Sequence, residues 1–175
     1  MKHTLVVRVK DQRGVLSRVS GLFSRRAFSI DTLTVSGGET PGYARMTIVV
    51  DTLRTPAALV AASLRKLIPV VEVTDVTHMA TVDRDLALIR VRSAPGDRAE
   101  IAGLAEIFRG RVVDVAPESV IVEVTGDAGK IDGLLDLLRP RGIVEVVRTG
   151  KVAMLRGTAS AASAGAADME LKKGA

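Results

Sequence analysis

The sequence repeats one order of predicted elements, strand, helix, strand, strand, helix, strand, and this repeat constrains the fold more than any other feature. In the first half, apolar residues alternate with polar ones in four predicted strands, at 5–9, 29–35, 46–50 and 70–73. Between them, apolar residues at helical spacing predict helices at 15–23 and 60–67, the second opened by Thr55 as N-cap and Pro56. This order is the split βαβ plan, which places two helices on one face of an antiparallel sheet.

The second half predicts the same unit again. Its strands are expected at 86–91, 111–115, 120–124 and 143–147, and its helices near 101–108 and 131–138. A length of 175 residues suits two small domains. The predicted fold class is therefore α+β, with two tandem ferredoxin-like βαββαβ units at 1–78 and 79–157. Residues 158–175 are rich in Ala, Ser and Gly without an apolar stripe, and we expect a disordered tail there.

Composition excludes several classes of protein. The chain has no cysteine, so disulfides and thiolate metal sites are ruled out, and a reducing cytoplasm is the expected location. No apolar run approaches the roughly 20 residues of a membrane span, and no signal peptide is expected because Met1 leads directly into a strand. The net charge of +5 is what a solvated surface of mixed charge carries.

Catalysis and metal binding find little support in the residues. The two histidines, His3 and His78, have no matched nucleophile or metal-ligand spacing and are interpreted as surface residues. The acidic pairs at 83–85 and 132–136 are likewise expected to be solvated. No dinucleotide or phosphate-binding glycine fingerprint occurs, and Gly37-Gly38 is typical of a hairpin turn.

Nucleic-acid binding is a separate question, because RNA-recognition modules share the βαββαβ order. Those modules stack bases on aromatic residues of their strands. In this chain the predicted strands carry almost no aromatic residue, and Tyr43, at the start of the third strand, is the sole possibility. We therefore expect no nucleic-acid partner.

The turn after the first strand is the strongest functional signal. Gly14 separates that strand from the first helix, and the next strand begins at Ser29, fifteen residues later. Glycine allows a positive φ and a close approach of a ligand. The free N–H groups at the start of a helix suit a carboxylate.

These segments resemble the regulatory small subunits of acetolactate synthase (acetohydroxyacid synthase). In the first half the resemblance is carried by GVLSRV at 14–19, LFSRR at 22–26, IDTLTV at 30–35 and RMTI at 45–48. In the second half it is carried by EIFRG at 106–110, VDV at 113–115, TG at 125–126, KID at 130–132, GIVE at 142–145 and RTG at 148–150. It covers residues 3–157.

The resemblance implies an N-terminal ACT domain that binds an effector and dimerises, followed by a C-terminal ferredoxin-like domain. It implies no catalytic activity and no cofactor in this chain. In that family a separate catalytic large subunit uses thiamine diphosphate, FAD and magnesium to join pyruvate to a second 2-oxo acid. The small subunit activates it and transmits feedback inhibition, usually by valine, in branched-chain amino-acid biosynthesis.

The resemblance also implies an effector site between the ACT domains of two subunits. The matching positions are Asp11, Gly14, Val15, Leu16, Ser29 and Ile30. Three positions depart from the family pattern, since Asp11 and Ser29 stand where Asn is usual and Ala27 where Gly is usual. A serine side chain is shorter than asparagine and offers no amide. We therefore expect a weakened response to valine. Two alternatives stay open, a free-standing ACT-type sensor of another enzyme and an activator that has lost valine sensing.

Overall fold

The computed structural model describes residues 1–53 and 55–157 and divides the chain into two compact units. Among the described residues, unit 1 comprises Met1–Val82 together with 151–157, and unit 2 comprises Asp83–Gly150. The division therefore differs from the predicted ranges 1–78 and 79–157, because the chain returns to unit 1 after Gly150. The predicted tail at 158–175 lies outside the described residues.

Unit 1 has the predicted βαββαβ order. Its elements are β1 (Lys2–Lys10), α1 (Val15–Arg26), β2 (Ser29–Gly37), β3 (Tyr43–Asp51), α2 (Ala57–Arg65) and β4 (Val70–Asp75). The four strands form an antiparallel sheet in the order β2-β3-β1-β4. Both β2 and β4 are therefore edge strands of this sheet.

Strict alternation in β1 creates the core of unit 1. Leu5, Val7 and Val9 are completely buried, because every second side chain of a strand faces the same side of the sheet. They pack in one cluster with Val19 and Phe23 of α1. The apolar spacing of α1 thus docks the helix on the sheet and fixes where its first turn lies.

The start of α2 differs from the prediction. The helix begins at Ala57 with Pro56, not Thr55, at the N-cap. The φ of Pro56 is −58° and its ψ is 136°, an extended conformation, so this proline precedes the helix rather than forming its first turn. Leu67, which the apolar spacing includes in the helix, lies beyond its end at Arg65.

Unit 2 repeats the pattern, and the chain then forms one additional strand. Its elements are β5 (Thr81–Arg92), α3 (Arg98–Ile107), β6 (Arg111–Val115), β7 (Ser119–Gly126), α4 (Ala128–Leu138), a 3₁₀ turn (Arg139–Arg141) and β8 (Ile143–Arg148). The additional strand, β9 (Val152–Leu155), lies in the segment that belongs to unit 1. The sheet order is β6-β7-β5-β8, and the unpredicted β9 pairs with β5. The predicted α+β class with two tandem ferredoxin-like βαββαβ units is confirmed.

The fully buried core of unit 2 is aliphatic. Ala87, Ile89 and Val91 of β5 are completely buried against Ile101 of α3 and Ile131 of α4. No helix in the described parts of the chain is long and apolar enough to cross a membrane.

Candidate functional site

The structure places the predicted effector residues in two groups at opposite ends of α1. The first group lies around the first turn of α1 and contains Asp11, Gly14, Val15 and Leu16. The second group lies at the start of β2 and contains Ser29 and Ile30. A helix of 12 residues is about 18 Å long, which separates the groups. The sheet register agrees, because Lys10 pairs with Tyr43 at one end of β3 and Ser29 pairs with Asp51 at the other.

The first turn of α1 presents free backbone donors around Gly14. This N-cap residue has a φ of 78° and a ψ of 6°, the left-handed conformation that the sequence predicts for a glycine, and no side chain caps the helix. The Val15 N–H donates to Gln12 O at 3.2 Å. Within residues 1–53 and 55–157, the N–H groups of Leu16 and Ser17 have no acceptor. A carboxylate is the natural ligand for such a pair.

The side chains around this turn differ in what they can contact. Val15 is buried at 8% exposure, so its side chain belongs to the core and only its backbone faces the turn. Leu16 is 46% exposed and supplies apolar surface beside the free N–H groups. Asp11 is exposed, and its N–H donates to Gly42 O at 2.8 Å, which ties this loop to the β2–β3 turn. The first group can therefore contact a carboxylate, an ammonium group and a short aliphatic chain.

The second group is simpler. Ser29 is exposed at the first position of β2, and Ile30 is half-buried against the core of unit 1. The distance along α1 is too great for one small ligand to contact both groups. One chain thus carries two halves of the predicted site and does not join them.

A second polar cluster in unit 1 corrects the interpretation of His3 as a surface residue. Its side chain is only 18% exposed, and its Nδ1 lies 2.9 Å from Asp75 Oδ2. The His78 ring contacts the His3 ring edge to face at 5.8 Å between centroids. His3 is shielded from solvent because it lies on the face of β1 that the helices cover. A search for metal-ligand or nucleophile spacing around His3 does not reveal this burial. No group of three metal-ligating side chains occurs among the described residues.

Asp75 gives this cluster a pH dependence. Partial burial raises its pKa, but the hydrogen bonds from the Thr77 hydroxyl and N–H, and then the contact with His3, outweigh burial and lower the pKa overall. A carboxyl group with a lowered pKa stabilises the fold above its unfolded pKa of about 3.9, and that contribution is lost as the pH falls through the folded value.

We expect the stability difference between the wild type and Asp75→Asn to shrink as the pH falls below about 4, because protonation removes the advantage of the carboxylate. Urea denaturation of both proteins between pH 3 and 7 measures the difference. Asp136→Asn is the control, since Asp136 is 73% exposed. Curves that stay parallel down to pH 3 would contradict this assignment.

Unit 2 contains a buried ion pair where the sequence indicated solvated acids. Asp85 is 7% exposed, and its Oδ2 accepts hydrogen bonds from Arg148 Nε at 2.7 Å and Arg148 Nη2 at 2.6 Å. Its Oδ1 accepts from the Gly150 N–H at 3.1 Å. Burial lowers the pKa of Arg148, but the hydrogen bonds that it donates to Asp85 and Asp132 raise the pKa overall, so the guanidinium stays charged. Asp85 is therefore structural.

Both units match families of known proteins. Residues 5–72 match the ACT domain described as AHAS small subunit-like, and residues 84–157 match the family described as the small subunit of acetolactate synthase. The chain is 44% identical to the acetolactate synthase small subunit of Bacillus subtilis over 164 residues, 93% of this chain and 95% of that protein. It is 49% identical to a probable acetolactate synthase small subunit of Archaeoglobus fulgidus over 157 residues, 90% of this chain and 98% of that protein.

A solved structure agrees with these relatives. The crystal structure of the acetolactate synthase small subunit from Thermotoga maritima superposes with a TM-score of 0.81 at 38% identity. It covers 89% of this chain and 98% of that one. The similarity therefore extends through both units.

Proposed function

Because the chain belongs to the acetolactate synthase small-subunit family, we propose that it is the non-catalytic regulatory subunit of that enzyme. It activates a separate catalytic large subunit, which holds thiamine diphosphate, FAD and magnesium, and it transmits feedback inhibition by valine to branched-chain amino-acid biosynthesis. The observation that carries this proposal is a similarity that spans both units and nearly the full length of relatives named as small subunits.

The first turn of α1 supports an amino acid as the effector. The free N–H groups of Leu16 and Ser17 would hold the α-carboxylate, as backbone donors at a helix start commonly do. The exposed carboxylate of Asp11 would accept from the ammonium group. The exposed Leu16 side chain offers contact to a short branched aliphatic group such as that of valine.

A second copy of the chain would complete this site. β2 is an edge strand that begins at Ser29 and ends at Gly37. Its last residue, Gly37, lies at the same end of the sheet as Asp11 and Gly42. If two β2 strands pair antiparallel about a twofold axis, the start of each strand lies beside the end of the other. The partner's Ser29 would then come close to the first turn of α1. Pairing would also cover an edge that otherwise exposes unpaired backbone groups.

We therefore expect a homodimer in solution. Val35→Glu in β2 should raise the dissociation constant of the dimer by about tenfold or more, because a carboxylate would be buried in the interface. Val71→Glu in the other edge strand, β4, is a matched control, since both valines are 43% exposed. Sedimentation velocity between nanomolar and micromolar concentration measures both variants. A strictly monomeric wild type, or equal effects of the two substitutions, would contradict pairing through β2.

Ser29→Asn should tighten inhibition by valine by about tenfold or more, because an additional hydrogen bond to a charged ligand group contributes about 1.5–3 kcal/mol. The measurement is the valine concentration that gives half-maximal inhibition of the reconstituted enzyme. Thr74→Asn in β4 is the control for a new amide on a strand. An unchanged midpoint for Ser29→Asn would argue against Ser29 as an effector residue.

Reconstitution with an acetolactate synthase large subunit tests the function as a whole. The chain alone, supplied with thiamine diphosphate, FAD and magnesium, should form no acetolactate, and adding it to the large subunit should raise activity that valine then lowers. Valine binding without any activation would favour a sensor of another enzyme. Activation without a valine response, with no valine binding, would favour an activator that has lost sensing.

A further inference from the structure

A short segment that follows unit 2 is hydrogen-bonded to two strands of unit 1, β2 and β3. We call residues 151–155 the strap; they belong to unit 1 and contain β9. Thr34 Oγ1 of β2 donates to Lys151 O at 3.2 Å, and Arg45 Nη2 of β3 donates to Ala153 O at 2.6 Å. Carbonyls two residues apart point to the same side of an extended chain, which explains why both reach the sheet.

The strap has a buried and an exposed side. Ala153 is 5% exposed, whereas Val152 and Met154 on either side of it are 46% and 67% exposed. Arg156, just beyond the strap, donates its N–H to Ala80 O at 2.9 Å. The strap is thus held along its length by unit 1 and is not a loosely attached connection.

The strap begins next to a buried hydrogen-bonded cluster of unit 2. Gly150, its immediate neighbour in the chain, donates its N–H to buried Asp85, which also holds Arg148 of β8. A displacement of the strap would therefore pull on Gly150, which unit 2 fixes through both its N–H and its carbonyl group.

β2 has features that suit a movable element. The sheet register shifts between Ile30 and Thr32, directly after the predicted effector residue Ser29. The Thr32 hydroxyl is buried without a hydrogen-bond partner among the described residues. Two residues later, Thr34 contacts the strap. Six residues of one edge strand thus contain the predicted effector residue Ser29, the shift in strand register and the strap contact of Thr34.

We infer that the strap couples the effector site to unit 2. The inference rests on the proposed function, since it assumes that an amino acid binds beside β2. Binding at Ser29 shifts β2, and the hydrogen bonds of Thr34 and Arg45 pass that shift to the strap and so to Gly150. Arg45 and Thr34 are positioning residues, because they act on the strap and contact no effector.

Arg45→Ala tests this coupling in the full-length chain. Valine binding to the chain alone, measured by calorimetry, should change less than about threefold, and activation of the large subunit without valine less than about twofold. The factor by which saturating valine lowers activity should fall by about fivefold or more, the lower range of allosteric coupling. Arg8→Ala is the matched control, because Arg8 lies opposite Arg45 in the register of β1 and β3 but forms an ion pair with Glu72, at 3.7 Å between Nε and Oε2.

The nearly isosteric substitution Thr34→Val removes the other hydrogen-bond donor to the strap. It is the test variant if the Arg45→Ala protein does not fold. Inhibition that stays at the wild-type level in these variants overturns the inference. Inhibition that is lost only together with valine binding overturns it as well. A wild-type chain that binds no valine would instead refute the proposed effector, and the coupling with it, and that result appears in calorimetry before any variant is made.

Discussion

Gly14→Asp is expected to abolish inhibition by valine while activation of the large subunit stays within about twofold of the wild type. A Cβ at Gly14 meets no atom within 4 Å, so space does not prevent the substitution. The φ of 78° makes a side chain costly there, by about 1–2 kcal/mol. The main effect is electrostatic, because aspartate accepts well from N–H groups at a helix start and would occupy the donors that the valine carboxylate needs. Loss of those bonds predicts at least about a hundredfold weaker binding.

The control for Gly14→Asp is Gly14→Ala, which has the same backbone strain without the charge. We expect it to keep part of the valine response. Valine titration of the reconstituted enzyme, together with calorimetry of each chain alone, distinguishes strain from charge. Equal losses in both variants would indicate that the conformation of the turn, and not its free N–H groups, sets the affinity.

Asp85→Ala is expected to destabilise unit 2 by about 3 kcal/mol, because it leaves a guanidinium without its buried partner. The value lies at the low end for buried pairs, since the Arg148 side chain is 30% exposed and water screens part of the lost interaction. Urea denaturation measures the loss, and hydrogen exchange in β5 and β8 assigns it to unit 2.

Asp136→Ala provides the matched control for Asp85→Ala. Asp136 also pairs with an arginine, Arg139, but the two side chains are 73% and 72% exposed. Such surface pairs contribute about 0–1 kcal/mol, so little change is expected. Similar losses for the two variants would show that burial does not make the Asp85 pair stronger.

These two sites show what the sequence could and could not predict. The turn at Gly14 was predictable because its requirement is local: a strand, a residue with positive φ and a helix follow within a few positions. The burial of Asp85 was not, because its partner Arg148 is 63 residues away and the neighbouring charges at 83 and 84 are typical of a solvated turn. His3 was misread for the same reason, since Asp75 lies 72 residues further along the chain.

The elements themselves followed from periodicity wherever a segment was long enough to show it. The eight predicted strands and four helices each contain several apolar positions that repeat at the strand or helix spacing. β9 has only four residues, of which Ala153 alone is buried, so alternation cannot be recognised in it. The start of α2 was misplaced because Pro56 suits both an N-cap and a first turn.

The separation of Gly14 from Ser29 by the length of α1 has a genetic consequence if the β2 strands pair as proposed. Each site would then draw Gly14 from one protomer and Ser29 from the other. An allele altered at Gly14 and an allele altered at Ser29 would each encode dimers in which both sites are damaged. In a cell that carries both alleles, the mixed dimer would have one doubly altered site and one entirely wild-type site. The two alleles would therefore complement each other.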